Sequence, residues 1–375
     1  MSSVFLLLAL TALTYQIISL ICLVRFFRTP LPPGAASGPG VTVFKPLKGR
    51  EPFTRECLAS FLAQDYRPLQ VLFGVADPAD PVLPLLQELQ SAFPGVQADI
   101  LLCPEVRALN PKVSTLLQLE PRAQYDLYVL ADADVKVGPD FLSRAVAALA
   151  DPGVGLVTCP YRPGPPVSLG ARLEALTITA DFMPSVAAAY FTEGVRFALG
   201  ATMVLSRRTL AEIGGLAALA DYLADDYQLG RRVAEAGLQV RLLPYVVETL
   251  APEISFTSYL AHQLRWARTI RVCRPLSYLA FGITHALMYS AAFLLTSGLT
   301  PLALTLLAAT LTLRGAAAWL SALTLQAEIP PVSFLLLPLK DFLSFGLWLA
   351  SFLGHRVTWR DRRFRLTPDG KLAPE

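Results

Sequence analysis

Residues 4–24 carry no charged side chain, and Arg25 and Arg28 follow this apolar run directly. An α-helix rises about 1.5 Å per residue, so a run of this length reaches across the roughly 30 Å hydrocarbon core of a bilayer. No basic residue precedes the run and no small-residue cleavage site closes it, which argues against a secretory leader. Cys22 also lacks the small preceding residue of a lipoprotein site. We therefore predict a transmembrane anchor over residues 1–27, with the following chain in the cytoplasm because the arginines lie on that side.

The composition agrees with a membrane protein. Hydrophobic residues make up 54% of the chain and charged residues only 16%, with a mean hydropathy of +0.48. The net charge of +3 is too small to indicate a nucleic-acid partner. The cysteines are scattered without CxxC spacing, so we expect neither disulfides nor a zinc site. They are Cys22, Cys57, Cys103, Cys159 and Cys273.

The sequence predicts a linker followed by an α/β domain. Residues 28–40, RTPLPPGAASGPG, are rich in proline and glycine, and residues 41–252 alternate β-rich runs with helical patterns. Predicted strands are residues 41–45, 70–76, 99–102, 127–131 and 155–159, and predicted helices are residues 53–63, 83–92 and 140–150. Several of these strands are apolar throughout, as strands covered on both faces are. We expect a doubly wound, mostly parallel sheet with its ligand site at the carboxyl ends of the strands.

A membrane-associated region is predicted after this domain. Residues 253–275 mix apolar and aromatic residues with arginine, which is typical of an amphipathic helix in the bilayer interface. Arginine is frequent here and in a basic tail, residues 356–375, and both clusters suit a surface of anionic lipid. The clustered arginines are Arg265, Arg268, Arg271 and Arg274, then Arg356, Arg360, Arg362, Arg363 and Arg365.

Residues 276–355 are predicted to hold transmembrane helices. Apolar stretches lie near residues 278–297, 299–325 and 332–354, and the middle one contains Arg314. If all three crossed the membrane, the basic tail would lie outside, against the usual distribution of positive charge. Either one stretch is re-entrant or interfacial, or the tail is an exception to the rule that positive charge lies on the cytoplasmic side.

The stretch LYVLADADV, residues 127–135, joins a buried strand to two aspartates. Residues i and i+2 of an extended segment face the same side, so Asp132 and Asp134 can project together into a cleft. Such carboxylates suit Mg²⁺ or Mn²⁺, which usually takes one or two of them plus substrate diphosphate oxygens. A D-x-D alone is common in surface turns, and its position after the strand is what favours a functional site.

Further acidic residues follow other predicted elements. Asp77 and Asp80 come after VLFGVA, where a carboxylate can accept hydrogen bonds from a nucleobase or ribose. In LADDYQLG, Asp225 and Asp226 precede a helix, where capping is the simpler explanation. One residue can cap the helix while the other faces the cleft.

The segment HQLRWART, residues 262–269, supplies a basic complement to these acids. Arg265 can bind a diphosphate through its planar fork of donors, and Trp266 offers a rigid wall for a sugar or acceptor. A surface helix with a snorkelling arginine and an interfacial tryptophan is the alternative.

The ordered series of motifs resembles the ceramide glucosyltransferase family and its bacterial relatives, including hopanoid-pathway glycosyltransferases. The resemblance covers the chain from about residue 41 to the end, and the series is more specific than any single motif. The motifs are VTVFKPLKG, VLFGVADPADP, NPKV, ADADV, VTCPYR, DFMPSV, LADDYQLG and HQLRW.

The resemblance implies a GT-A nucleotide-sugar-binding domain in the cytoplasm, a UDP-sugar donor, a lipid acceptor and inversion at the anomeric carbon. It also implies roles for single residues. Asp77 would contact uracil, Asp132 and Asp134 would contact the nucleotide and Mg²⁺ or Mn²⁺, and Asp226 would be the catalytic base. Lys45 and Lys112 match family positions near the nucleotide, and Arg265 and Trp266 match the family's Arg-Trp pair.

Two departures from the family pattern bear on these expectations. His262 stands where the family has Gln or Arg, so the family's diphosphate contact does not carry over to this position and the role of His262 is open. A full D-x-D stands where animal ceramide enzymes keep only the first acid, which favours the bacterial branch and a bacterial inner membrane.

The motifs leave the sugar, the oligomeric state and the acceptor open, whether ceramide, a hopanoid polyol or diacylglycerol. A processive polysaccharide synthase and a catalytically inactive membrane scaffold are the competing hypotheses.

Overall fold

The computed structural model describes residues 2–251, 253–359 and 362–374. Pro252, the predicted end of the α/β domain, and Arg360 of the predicted basic tail lie outside the described residues. The first helix, α1 (Ser2–Phe27), is apolar along its length. It is one of three helical segments in the described chain that are long and apolar enough to cross a membrane, the others being Pro301–Leu325 and Pro331–Ser351.

The α/β domain lies between α1 and residue 250. Its strands are β1 (Ser37–Leu47), β2 (Arg67–Val75), β3 (Gln97–Leu102), β4 (Leu127–Ala131), β5 (Val135–Lys136), β6 (Val154–Thr158), β7 (Tyr161–Pro163), β8 (Thr202–Ser206), β9 (Gln239–Leu242) and β10 (Val247–Thr249). Its helices are α2 (Thr54–Leu62), α3 (Leu83–Ala92), α4 (Pro111–Leu119), α5 (Phe141–Leu149), α6 (Leu169–Thr177), α7 (Met183–Thr192), α8 (Arg207–Glu212) and α9 (Asp225–Glu235).

Within the described residues, seven strands form one sheet in the order β3-β2-β1-β4-β8-β6-β9. All neighbouring pairs are parallel except those made by β8, which runs antiparallel to β4 and β6. The predicted α/β fold with a mostly parallel sheet is therefore confirmed. Because β1, β2 and β4 run in the same direction, their carboxyl ends meet at one edge of the sheet.

The central strands are apolar throughout because helices cover both faces of the sheet. Val43 of β1 and Val129 of β4 belong to the core on one face, whereas Phe44 and Leu130 belong to the core on the other. Successive side chains of a strand point to opposite faces, so burial on both sides requires apolar residues at consecutive positions.

The segment predicted as a linker is attached to the domain. Arg144 of α5 donates a hydrogen bond from Nη1 to the carbonyl oxygen of Pro32 at 2.7 Å, and β1 already begins at Ser37. Residues 28–40 therefore lead into the sheet along its surface.

A helical platform follows the α/β domain. It consists of α10 (Phe256–Cys273), α11 (Pro275–Phe281), α12 (Ala286–Ser297), α13 (Pro301–Leu325) and α14 (Leu337–Ser351). Ala9 of α1, Phe293 of α12 and Ala303 of α13 share an apolar core. The helical segments on either side of His285 meet at an angle of 53°, as in a broken span or a re-entrant loop.

The C-terminal tail is folded onto the α/β domain. Strands β11 (Arg356–Trp359), β12 (Arg362–Leu366) and β13 (Leu372–Pro374) form an antiparallel sheet. The Leu372 amide donates a hydrogen bond to the Asp221 carbonyl oxygen at 2.7 Å, and Leu372 packs with Leu223 in a buried apolar cluster. The tail and the α/β domain therefore share one side of a membrane. Between them lie the bent pair around His285 and the candidate spans Pro301–Leu325 and Pro331–Ser351, and we infer that these three segments cannot all cross it.

Three of the arginines predicted to face anionic lipid also bind protein groups. Arg268 donates to the Leu353 carbonyl oxygen at 2.9 Å, and Arg271 donates to that of Gly354 at 3.1 Å. Arg274 pairs with Glu193 at 2.5 Å. These arginines fasten α10 to the segment after α14 and to the end of α7.

A Leu372→Asp substitution should release the tail. A carboxylate inside the apolar cluster around Leu223 has no partner there, and losing about 2 kcal/mol of docking energy would raise the detached population roughly 30-fold. Trypsin should then cleave within residues 356–374 correspondingly faster, with cutting followed by intact mass. Leu372→Met keeps the apolar volume and serves as the control; equal cleavage of the two variants would contradict this packing.

Candidate active site

Carboxylates converge where β4 and α9 meet. Asp132 and Asp134 follow β4, and Asp225 and Asp226 begin α9. A Cβ atom placed on Gly200 would lie 2.9 Å from Asp226 Oδ2 and 3.5 Å from Asp132 Oδ2. Carboxylates from two separate elements thus surround one point, and glycine at position 200 keeps that point open.

Lys112 lies inside this acidic group. Its Nζ is 2.7 Å from Asp132 Oδ1 and 3.1 Å from Asp225 Oδ2. Burial opposes its charge, but the carboxylates, Asp132 foremost, hold the pKa of Lys112 well above its usual range. The lysine is therefore a fixed positive charge that neutralises part of the cluster.

The NPKV motif explains how the chain positions Lys112. Asn110 caps α4, its side-chain oxygen accepting hydrogen bonds from the amides of Lys112 and Val113 at 2.9 and 3.1 Å. Pro111 occupies the first helical position, where its missing N–H has no consequence. Asn110 Nδ2 also donates to the Tyr222 carbonyl oxygen at 2.9 Å, which ties α4 to the loop before α9.

The two aspartates that are not paired with Lys112 hold protons more tightly than usual. Burial first and Asp225 second raise the pKa of Asp226 to about 6. The surrounding protein first, by displacing water, and the neighbouring Asp132 second raise the pKa of Asp134, although its side chain still contacts solvent. Asp226 also accepts the Tyr227 amide at 2.7 Å, and no side chain caps α9 at Ala224. Near-neutral carboxylates of this kind suit proton transfer.

Lys45 and Asp77 lie away from the open part of the site. Lys45 is fully buried beneath it and donates from Nζ to the carbonyl oxygen of Asp132 at 2.5 Å. Burial lowers the pKa of Lys45 to about 8. Asp77 is exposed beyond β2, and its Oδ1 accepts the Ala79 amide at 2.8 Å. Lys45 thus supports the turn between β4 and Asp134, and Asp77 lies at the same sheet edge but outside the cavity lining.

The α10 helix forms the opposite wall. Burial lowers the pKa of Arg265, while the charges of Glu174, Asp226 and Asp132 favour its ionised form. Among the described residues, the Arg265 guanidinium makes no ion pair and so remains available to a ligand. The Trp266 ring lies 5.7 Å from that of Phe182, centroid to centroid.

Sequence reasoning missed the partner of His262. Its Nδ1 lies 3.0 Å from Glu174 Oε1, and its ring packs edge-on against Trp266 at 4.8 Å. Glu174 is the one acid in the helix ARLEALT, residues 171–177, which is the signal that could have drawn attention to it. The pair fixes the face of α10 that carries Arg265 and Trp266.

The four carboxylates at β4 and α9 line one cavity of about 1140 Å³, together with Lys112, Glu174, His262, Arg265 and Trp266. It runs from the carboxylates past Arg265 and Trp266 to the helical platform. There it is lined by Trp348 of α14, by Tyr15 of α1 and by Asp181, which lies between α6 and α7. One end is therefore polar and lies in the α/β domain, and the other lies among apolar helices.

The carboxylates fit a divalent cation only with help from a ligand. No group of three or more His, Cys, Asp or Glu side chains gathers as a metal site in the described chain. The Asp134 carboxylate faces the cavity and has no cationic partner among these residues, while Asp132 is shared with Lys112. Mg²⁺ and Mn²⁺ commonly accept one or two carboxylates and complete their shell with phosphate oxygens, so this donor set fits them.

A mixed sheet of this order, with strand-end acids facing a basic helix, defines a glycosyltransferase of the GT-A fold. The model of Glycosyl transferase family 21 matches residues 4–372, and the chain belongs to this family. Its apolar helices make it a membrane protein.

Similar proteins include ceramide glucosyltransferases. Ceramide glucosyltransferase 1 of Caenorhabditis elegans is 22% identical over 359 residues, which cover 89% of this chain and 73% of that protein. Ceramide glucosyltransferase 3 of the same organism is 25% identical over 62% of this chain, and only about half of its own length (51%) is matched. The ceramide glucosyltransferase of Candida albicans is 34% identical over 29% of this chain and 22% of its own.

A solved structure shares the fold over nearly the whole chain. It is the mannosyltransferase PcManGT from Pyrobaculum calidifontis in complex with GDP-Man and Mn²⁺, at 21% identity and a TM-score of 0.57. The match covers 94% of this chain and 97% of that one.

Proposed function

We propose that this protein transfers one sugar from a UDP-sugar to the hydroxyl group of a membrane lipid, with inversion at the anomeric carbon. The observation that carries the proposal is the single cavity that joins the carboxylate cluster to the apolar platform. A water-soluble donor and a lipid acceptor need such a meeting place. The ceramide glucosyltransferases among the relatives support a lipid acceptor that is ceramide-like or hopanoid-like.

In this proposal Asp226 acts as the base. Its carboxylate takes the proton from the lipid hydroxyl as that oxygen bonds to the anomeric carbon, and the bond from that carbon to the diphosphate breaks on the opposite side. The electron pair leaves with UDP, which explains the inversion. Arg265 and Lys112 supply positive charge on opposite walls of the cavity for the departing diphosphate.

Asp132 and Asp134 would hold a divalent cation, Mg²⁺ or Mn²⁺, together with donor phosphates. A bound cation would neutralise charge on the leaving diphosphate. We further propose that Asp77 contacts uracil, that Lys45 acts by holding the turn that carries Asp132, and that Trp266 forms the wall against the acceptor.

The same proposal covers location and organisation. Residues 1–27 would anchor the chain in a bacterial inner membrane, residues 41–252 would form the cytoplasmic catalytic domain, residues 253–275 would lie in the interface, and residues 276–355 would hold the remaining spans. The tail docked beside Leu223 supports placing residues 356–375 in the cytoplasm as well.

Removing Lys112 should move the pH profile. Lys112 lowers the pKa of Asp226, so in Lys112→Met the base stays protonated to higher pH, and the acid limb of kcat/KM should shift upward from about 6. Asp132 and Asp225 would also lose their buried partner, which typically costs 3–5 kcal/mol, about the scale expected here. Lys112→Arg, which keeps the charge, is the control, and an unshifted limb in Lys112→Met would argue against electrostatic coupling of the two groups.

The donor can be tested by nucleotide release. The purified full-length protein is incubated with ceramide in detergent and with UDP-glucose, UDP-galactose, UDP-N-acetylglucosamine or GDP-mannose, with Mn²⁺ or with EDTA. We expect acceptor-dependent release of UDP that EDTA abolishes. Release from GDP-mannose alone would refute the UDP assignment, and release unaffected by EDTA would refute the metal. Failure of any nucleotide to bind would favour the inactive scaffold.

A further inference from the structure

A buried ionic cluster lies within the helical platform. Arg314 of α13 pairs with Asp181 at 2.5 Å and with Asp341 of α14 at 2.8 Å. Lys340 lies 2.9 Å from Asp341 and also pairs with Asp181. Asp181 belongs to the π-helical turn Ile178–Phe182 between α6 and α7. Two acids and two bases from three elements therefore form a cluster without net charge.

This cluster is costly as a purely structural device. Apolar residues of similar volume often stabilise a buried position as well as an ion pair does, and Arg314 lies near the midpoint of a helix long enough to span a membrane. Ionisable residues at such depth usually face a cavity and mark a path for a substrate or ion. All four members of the cluster line the cavity described above.

Unsatisfied polar atoms surround the same end of the cavity. Gln16, near the midpoint of α1, and His285, between α11 and α12, both line it. Gln16 Nε2 and His285 Nε2 are buried and have no hydrogen-bond partner among the described residues. Tyr15 and His285 lie within electrostatic reach of Asp181. Buried polar atoms of this kind call for a partner.

Polar groups connect this end to the proposed base. Asp226 and Asp181 line the same cavity, and so do His262, Arg265 and Trp266 of α10. A ligand whose reacting hydroxyl is at Asp226 can thus extend along α10 toward Asp181.

Resting on the proposed function, we propose that Gln16, Asp181 and His285 form a subsite for a second hydrogen-bonding group of the lipid acceptor. The Asp181 carboxylate lines the cavity and can accept from an N–H or O–H through lone pairs that Arg314 and Lys340 leave free, and Gln16 Nε2 can donate to a carbonyl or hydroxyl oxygen. The ionic cluster is already balanced, so a charged group would lie there unpaired, and the ligand group is neutral. The ligand group must therefore donate a hydrogen bond to Asp181, accept one from Gln16 and carry no charge. An amide or a second hydroxyl meets these three requirements, whereas diacylglycerol has no donor besides its reacting hydroxyl.

The test compares acceptors on the full-length protein in detergent. The kcat/KM for ceramide, for diacylglycerol and for a long-chain 1-alkanol is measured in the wild type, in Gln16→Leu and in Thr14→Val. Thr14 lies on the exposed face of the same helix and serves as the matched control. We expect the wild type to prefer ceramide over the alkanol, and Gln16→Leu to reduce that preference about tenfold, with Thr14→Val unchanged. Asp181→Asn, which keeps the shape of the side chain, should reduce the same ratio if it folds.

The outcomes separate the subsite from the proposed function. If the wild type glycosylates ceramide and the alkanol equally well, or if Gln16→Leu lowers both rates by the same factor, the subsite is refuted while lipid transfer stands. Transfer to none of the three acceptors would refute both.

Discussion

Asp226→Asn is expected to lower the rate of sugar transfer by about 10²- to 10⁴-fold, the usual contribution of a general base. The amide keeps the shape of the side chain and the hydrogen bond from the Tyr227 amide, which wild-type Asp226 accepts at 2.7 Å. Nucleotide binding should therefore persist, and calorimetric titration of UDP measures it. Asp126→Asn makes the same change on the exposed surface and serves as the control. Wild-type turnover in Asp226→Asn would show that another group removes the proton.

The raised pKa of Asp226, about 6, adds a pH dependence with a definite sign. A base must be ionised, so kcat/KM should rise with pH through about 6 and then level off. The free energy of unfolding depends on pH in the opposite direction and falls as the pH rises, because the folded state binds the Asp226 proton more tightly than the unfolded chain does. The ionised carboxylate thus costs folding on the order of 1–3 kcal/mol above pH 6 and nothing below about pH 4. Asp226→Asn should accordingly melt at a higher temperature than the wild type at pH 8, but not at pH 4.

Arg265→Ala is expected to cost about 10²- to 10³-fold in kcat, the scale for removing one donor that stabilises developing charge. The guanidinium faces Asp132 and Asp226 across the cavity without an ion pair of its own among the described residues, so its partner is expected to be the diphosphate. Arg265→Lys keeps the charge but loses the planar fork, and should recover only part of the rate.

Single-turnover kinetics of the wild type, Arg265→Ala and Arg265→Lys distinguish a role of Arg265 in stabilising the leaving diphosphate from a purely structural role. A loss confined to the KM for the lipid would contradict a leaving-group role for Arg265. Arg271→Ala, on the same helix but bound to the Gly354 carbonyl oxygen, is a suitable comparison because it disturbs the tail rather than the cavity.

The sequence was most informative where local pattern and tertiary role agree. The run LYVLA ends at Ala131 as predicted because both of its faces are covered, and this places Asp132 and Asp134 at the sheet edge. The acids predicted after β4 and before α9 line one cavity with the Arg-Trp pair, whereas Asp77 and Asp80 lie outside its lining.

Contacts between distant segments could not be read from local pattern. Lys112 and Asp225 lie far apart in sequence and meet through the cap at Asn110. The pattern of the isolated helix predicts a lipid surface at Arg268 and Arg271. It gives no sign of the hydrogen bonds that they donate to the carbonyl oxygens of Leu353 and Gly354, just after α14. The sequence shows Arg314 as a charge within an apolar stretch, but its partners Asp181 and Asp341 lie on two other elements and could not be predicted.

The most direct test of the account is the mass of the lipid product. Purified full-length protein is incubated with Mn²⁺, a panel of UDP-sugars and a total lipid extract of its source. The masses of the extracted lipids are then measured by mass spectrometry and compared with those from the Asp226→Asn variant. We expect one new lipid, heavier by a single sugar, that the variant does not form. A ladder of masses would instead identify a processive synthase and contradict single transfer, and an equal product from Asp226→Asn would contradict the proposed site.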